Sequence, residues 1–194
     1  MTPAVADQHN AGGKVDSYSV WAIPPDDVSN RIKKVMLGLR EEFGGGPEIV
    51  PHIPMVGSIC MTQEDAVNKF WTVSQSYPDN VSAFVARVED VVTRPFYYQC
   101  VCLCIHNSLE INYLSGSYCE HYGFRLPVLP YVSLLYGNLT EEKRKKAQEK
   151  VSVLDETITS LSFPVTRLAL YKVNYSDKTL KSWEMIAEYP LQFN

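Results

Sequence analysis

Two short stretches of this chain carry the residues best suited to proton chemistry. Residues 50–57 read "VPHIPMVG" and residues 129–137 read "LPYVSLLYG". Both run an apolar residue, a proline, a ring side chain and a β-branched residue into an apolar run that closes on glycine. Each has strand length, and each is soon followed by a helix-start signal, "TQED" at Thr62 to Asp65 and "TEEK" at Thr140 to Lys143. On a strand, side chains at i and i+2 share a face, so His52 stands beside Pro54 and Tyr131 beside Ser133. Histidine, with a reference pKa of about 6.5, can take or give a proton near neutrality. Tyrosine, at about 10, stays protonated and serves as a hydrogen-bond donor rather than a ready base. If the two strands face each other, one cleft gains a base, a phenol and a hydroxyl.

The same residues have plainer readings. A lone histidine in an apolar strand is by default a hydrogen-bonded core residue, and Tyr131 is as readily a ring that fills space. Trp21, Tyr97 and Tyr136 read equally well as core aromatics. His106 and His121 lie outside both stretches and read as structural or exposed. The run "EEKRKKAQEK" reads as a solvated helix face.

Elements of two kinds must position these residues. Residues 1–15 read as a flexible tail. "YSVWAI", Tyr18 to Ile23, is β-rich and stopped by Pro24-Pro25, which predicts a strand. Val28, Ile32, Val35, Leu39 and Phe43 fall at helical spacing before a glycine run. Thr62 with Asp65 opens a second helix through about Ser74. "AFVARVEDVV" and "FYYQCVCLCI" predict an antiparallel pair of strands, followed by a helix over 108–122. The second stretch is a strand, and Thr140 to about Leu154 is an exposed helix. "LSFPVTRLALYKV" and "TLKSWEMIAEYPL", joined by the turn-rich "NYSDK", predict a closing antiparallel pair. Two α+β halves, each carrying one stretch on an inward strand, account for the repeat.

Composition narrows the partners. A chain of 194 residues with 21% charged side chains suits one compact domain. A net charge of -4 gives no bulk attraction to a nucleic-acid polymer or an anionic membrane. The N-terminus has no apolar core of signal-peptide length, and no stretch approaches the ~20 apolar residues of a membrane span. Cys100, Cys102 and Cys104 alternate, which on a strand predicts reduced thiols on one face rather than a metal site. A cytoplasmic location is the expectation.

From about Tyr18 to Leu191 the chain resembles the plant cyclic phosphodiesterases of the two-histidine (2H) phosphoesterase superfamily. "YSVWAIP", "VPHIPMVGSICMT", "FYYQCV", "LPYVSLLYGNLTEE" and "LSFPVTRLALYK" carry the resemblance, in the family's order and spacing. It implies a bilobal α+β fold over 16–194, with two antiparallel sheets facing a central cleft and helices outside. It also implies metal-free, cofactor-free opening of ADP-ribose or nucleoside cyclic phosphates by two His-x-Thr/Ser motifs on facing strands. There one imidazole activates water, the other protonates the leaving oxygen, and the hydroxyls hold the phosphate. His52 matches the first family histidine and Ser133 the second hydroxyl. Pro54 stands where the first hydroxyl is expected, and Tyr131 where the second histidine is expected. Trp21, Gln99 and Tyr136 match pocket residues, and Tyr97 joins them as a substrate-binding candidate beside Pro54 and Ser133.

The two departures have costs. Loss of one acid–base partner lowers a rate about 10²- to 10⁴-fold. Loss of a hydroxyl donor to an anion removes roughly 1.5–3 kcal/mol of binding. Three functions are therefore in view. In the first, cyclic phosphate hydrolysis is gone, and His52 and Tyr131 perform acid–base chemistry on a neutral or cationic small molecule. That chemistry would be an isomerisation or cyclisation, as in a paralogue recruited to plant specialised metabolism. In the second, the protein is a weak cyclic phosphodiesterase; in the third, a non-catalytic nucleotide or metabolite binder. Loss of both histidine and hydroxyl favours the first, because a pseudoenzyme still holding phosphate gains by keeping the hydroxyl. The expected form is a monomer with no metal.

Overall fold

The computed structural model describes residues 13–44, 46–76, 83–124 and 129–192. The first described element is strand β1 (Val15–Ile23), which starts three residues before the sequence-predicted Tyr18; of the tail expected over 1–15, residues 1–12 lie outside the described residues. Helix α1 (Asp26–Phe43) buries Val28, Ile32, Val35, Met36 and Leu39 on one stripe, with Asp26 and Asp27 against its positive end. It ends at Gly44, whose φ of 62° suits glycine and whose N–H reaches the Arg40 carbonyl. Strand β2 (Ile53–Thr62) runs directly into α2 (Gln63–Gln75). Thr62 caps that helix by accepting from the Asp65 N–H, as the "TQED" signal predicts.

Strand β3 (Phe84–Thr93) follows, and here expectation and structure part. Phe96 to Ile105 is not one strand: a 3-10 turn occupies Tyr97–Gln99, and only Val101–Ile105 forms β4. Cys100 consequently lies outside the strand, while Cys102 and Cys104, two residues apart on it, keep the alternation of one face. Cys100 precedes β4 and donates to the Leu135 carbonyl, Cys102 is buried within the strand, and Cys104 is only half-buried. All are free thiols. Helix α3 (Leu109–Tyr122), capped by Ser108, leads through Gly123 toward β5 (Tyr131–Leu135). Helix α4 (Glu141–Leu154), capped by Thr140, buries only Ala147 and Val151, as its charged sequence predicts. The expected single strand at 161–173 breaks at Thr166 into β6 (Ser162–Val165) and β7 (Arg167–Val173). Finally β8 (Glu184–Pro190) pairs with β7, as expected, although residues 174–183 form a longer connection than "NYSDK" suggested.

Two four-stranded antiparallel sheets result, ordered β2-β1-β7-β8 and β5-β4-β3-β6. The break at Thr166 carries the chain from one sheet to the other, since β6 pairs with β3 while β7 pairs with β1. Helices α2 and α3 pack on the first sheet, and α1 and α4 on the second. Each sheet is thus covered in part by a helix that springs from the other. Pro54, Pro164 and Pro190 all lie on edge strands, where a missing N–H breaks no inner ladder. β2 and β5, which carry the two sequence echoes, are both edge strands and approach each other between the sheets. The α+β, two-sheet architecture is the one anticipated.

Candidate functional site

A cavity of about 220 Å³ lies where β2 and β5 meet. His52, Pro54, Tyr131 and Ser133 all line it, so the structure brings both sequence echoes to one place. Trp21, Gln99 and Tyr136 line it as well. Tyr97 does not: the 3-10 turn directs its neighbour Tyr98 to the cavity, and Tyr97 packs behind, at 4.8 Å from the Tyr98 ring and 6.2 Å from the Tyr136 ring.

His52 is 6% exposed and stands one residue before β2, between Pro51 and Ile53. Its ring stacks on Trp21 at 3.5 Å, and Trp21 stacks on Tyr171 at 3.9 Å on its other face. Trp21 is locked in that sandwich: its indole N–H donates to Ser19 Oγ at 3.1 Å, and Ser19 donates to the Val56 carbonyl at 2.8 Å. His52 Nδ1 lies 2.6 Å from the Val50 carbonyl oxygen. A carbonyl only accepts, so Nδ1 carries the proton and Nε2 is left with its lone pair. Burial pushes the imidazole pKa down to about 4, against the opposing pull of the Val50 hydrogen bond. His52 is therefore neutral at physiological pH, with one tautomer fixed.

Across the cavity, burial raises the Tyr131 and Tyr136 phenols far above the ordinary tyrosine range, and nearby phenols add to the effect. Ser133 is buried, and its hydroxyl donates to the Tyr98 carbonyl at 2.5 Å. Cys102, cross-strand partner of Ser133, lies 3.7 Å from that hydroxyl. The proton of Ser133 is thus already committed within the protein.

Sequence reasoning missed a third wall. Tyr175 and Trp183, from the β7–β8 connection, and Phe124, after α3, complete the lining. Asp177 organises that connection by accepting four hydrogen bonds, from the N–H and hydroxyl groups of Thr179 and Ser182. Those bonds, Ser182's first, hold its carboxyl well below the usual carboxylate range. Trp183 Nε1 donates to the Asn174 carbonyl at 2.9 Å, and Tyr98 donates to the Tyr175 carbonyl at 2.5 Å. Lys178 donates at 3.0 Å both to the Tyr98 hydroxyl and to the Tyr175 carbonyl, and lies 4.2 Å from the Tyr97 ring centroid. Aromatic residues inside an otherwise polar turn segment were the available signal.

Among the described residues, no lysine, arginine, aspartate or glutamate lines this cavity. Nor do three histidine, cysteine or acidic side chains gather anywhere among them as a metal-ligand group. His106 and His121 lie outside the site, exposed, the first against Glu89 at 2.6 Å and the second against the Ser117 carbonyl at 2.8 Å. No described helix is long and apolar enough to cross a membrane.

With this geometry in hand, the chain can be compared with known proteins. It is 41% identical over 177 residues to a cyclic phosphodiesterase of Arabidopsis thaliana, covering 90% of this chain and 94% of that one. No protein-family model matches it. The fold is similar to that of Escherichia coli LigT in its apo form, with a TM-score of 0.62 over 93% of this chain and 99% of LigT at 13% identity. It is similar also to the TT0787 protein of Thermus thermophilus, with a TM-score of 0.64 over 91% of this chain and 98% of that one at 11% identity. LigT has been crystallised in complexes with ATP and with 3'-AMP.

Proposed function

The chain belongs to the cyclic phosphodiesterase family of two-histidine phosphoesterases, and from that premise we propose that it no longer hydrolyses cyclic phosphates efficiently. In this reading the inherited cleft performs acid–base chemistry on a neutral or cationic small molecule, an isomerisation or a cyclisation. The observation that carries the reading is the lining, which holds no charged side chain among the described residues. A phosphodiester is anionic throughout its hydrolysis, and a desolvated anion needs charge or committed donors around it. His52 offers no charge near neutrality. Ser133 spends its proton on Tyr98, and Pro54 has none to offer.

The proton inventory supports the same reading. Hydrolysis of the family type needs two groups that exchange protons near neutral pH. Here the second position, by resemblance, is Tyr131, whose phenol is held neutral far above that range. His52 is the base, through Nε2, and Tyr131 is the donor that polarises or reprotonates the substrate. Trp21, Gln99 and Tyr136, with Pro54 and Ser133, shape the small-molecule site. The likeness to the Arabidopsis enzyme favours a second reading, a slow cyclic phosphodiesterase working with one histidine.

The test is a search of plant metabolite extracts for a compound that the purified protein transforms. Wild type should convert it, and folded His52→Ala should lose most of the turnover. Folded His52→Ala converting it at the wild-type rate would remove His52 as the base, and extracts in which wild type transforms nothing would move the protein to the class of non-catalytic binders.

A further inference from the structure

Three phenols stand together on the cavity wall. Tyr131, Tyr136 and Tyr175 all line the cavity, and no group among the described residues hydrogen-bonds their hydroxyls. Tyr136 is buried, Tyr131 half-buried and Tyr175 42% exposed, so the three hydroxyls stay open to the cavity and available to donate to a ligand that accepts. Their rings are fixed: Tyr136 and Tyr175 pack on Tyr98 at 4.9 and 4.7 Å, and on Trp183 at 6.4 and 5.5 Å. Tyr131 is held by the β5 ladder opposite Cys104. The phenols also sense one another, since ionisation of Tyr131 and Tyr136 is opposed by their neighbours, Tyr175 among them in both cases.

The chemistry of such a cluster is selective. A cation would seek ring faces and not O–H protons. A phosphate dianion would find no positive charge on the wall among the described residues. A neutral carbonyl oxygen accepts two hydrogen bonds, and the enolate oxygen derived from it binds neutral donors more strongly still. Resting on the acid–base reading above, we infer that Tyr131, Tyr136 and Tyr175 form an oxyanion site, and that the substrate is an unsaturated ketone with an acidic C–H facing His52.

The reaction needs no co-reactant. The carbonyl oxygen accepts from the phenols while His52 Nε2 takes a proton from the adjacent carbon. The C–H electron pair becomes the enolate double bond, and the carbonyl pair moves to oxygen, where the hydroxyls hold the charge. The imidazolium, still donating from Nδ1 to Val50, then returns the proton to a different carbon of the conjugated system. The enolate collapses to the carbonyl, and the double bond has moved. A base of low pKa is sufficient when the oxyanion is stabilised at the same moment.

The test uses 4-nitrophenol, whose anion mimics an enolate and absorbs near the visible. Just below the probe's own pKa, added wild-type protein should raise the phenolate absorbance, because the site prefers the anion. Tyr131→Phe, Tyr136→Phe and Tyr175→Phe keep each ring and should each weaken phenolate binding roughly ten-fold or more. Tyr189→Phe, which packs on Trp71 away from the cavity, should change nothing, and excess inorganic phosphate should not displace the probe. Unchanged absorbance with wild type, or equal binding by all three cavity variants, overturns the inference. Displacement by phosphate overturns it as well, by assigning the phenols to phosphate. The parent reading fails separately, if wild type opens cyclic phosphates at the rate of the Arabidopsis enzyme whatever the probe does.

Discussion

Acidification should unfold this protein earlier than a variant lacking one histidine. An unfolded chain protonates His52 at about 6.5, while in the folded state the site resists until about 4, because protonation would place a charge among Trp21, Pro54 and the cavity wall. The sign follows from proton counts. Between those two pH values the unfolded state binds a proton that the folded state refuses, so stability falls as pH falls through that window. Below about 4 both states are protonated and the contribution levels off. The full gap corresponds to about 3 kcal/mol, or roughly 6–12 °C in Tm for a chain of this size. The assay is denaturant unfolding of wild type and His52→Gln at pH 7 and at a pH just above 4. Other ionisations cancel in the difference. Asp155, paired with Arg31 at 2.7 Å, and Asp177 also have lowered pKa values, but theirs is a lower window and both proteins retain them. Wild type should lose about 2–3 kcal/mol more than the variant on acidification. Equal losses would refute the claim that His52 is buried neutral.

Two further predictions concern the walls of the cavity. A methyl group at Gly57 would lie 2.8 Å from Phe124 Cζ, so Gly57→Ala should cost about 1–3 kcal/mol of stability, read as a lower denaturation midpoint; an unchanged midpoint would mean the ring yields freely. Tyr98→Phe removes the donor that ties the β7–β8 connection to the turn before β4, so amide exchange over residues 174–183 should quicken, by an amount matching about 1 kcal/mol. Exchange at the wild-type rate would show that Lys178 and Asp177 hold the connection without it.

Much of this arrangement is legible from residues alone. The caps at Thr62 and Thr140 mark helix starts because a side-chain oxygen satisfies a local N–H, and such signals need no tertiary context. The echo strands are legible for a related reason: a proline-bounded apolar run of strand length has few alternatives. What failed was the placing of breaks inside runs of strand composition, which distant partners decide. Nothing local in "LSFPVTRLALYKV" shows that Thr166 separates two sheets, since both halves have strand composition and only their partners differ. The 3-10 turn at Tyr97–Gln99 likewise lies inside a β-rich run, and it exchanges Tyr97 for Tyr98 at the cavity. Tyr175 stands in the turn-rich "NYSDK", where composition argues for solvent, and Trp183 in a run that reads as strand, so only the folded connection brings both to the site. The charge state of His52 was also beyond the sequence, because it depends on the stack with Trp21 and on the Val50 carbonyl.

The most direct test of the account is one assay on two proteins, hydrolysis of an ADP-ribose cyclic phosphate by wild type and by Pro54→Thr/Tyr131→His, with the Arabidopsis enzyme as standard. Wild type should fall at least ~10²-fold below that standard, for want of a second acid–base group, and the double variant should rise above wild type by regaining a titratable partner and a hydroxyl. Wild-type turnover equal to that of the Arabidopsis enzyme would contradict the account.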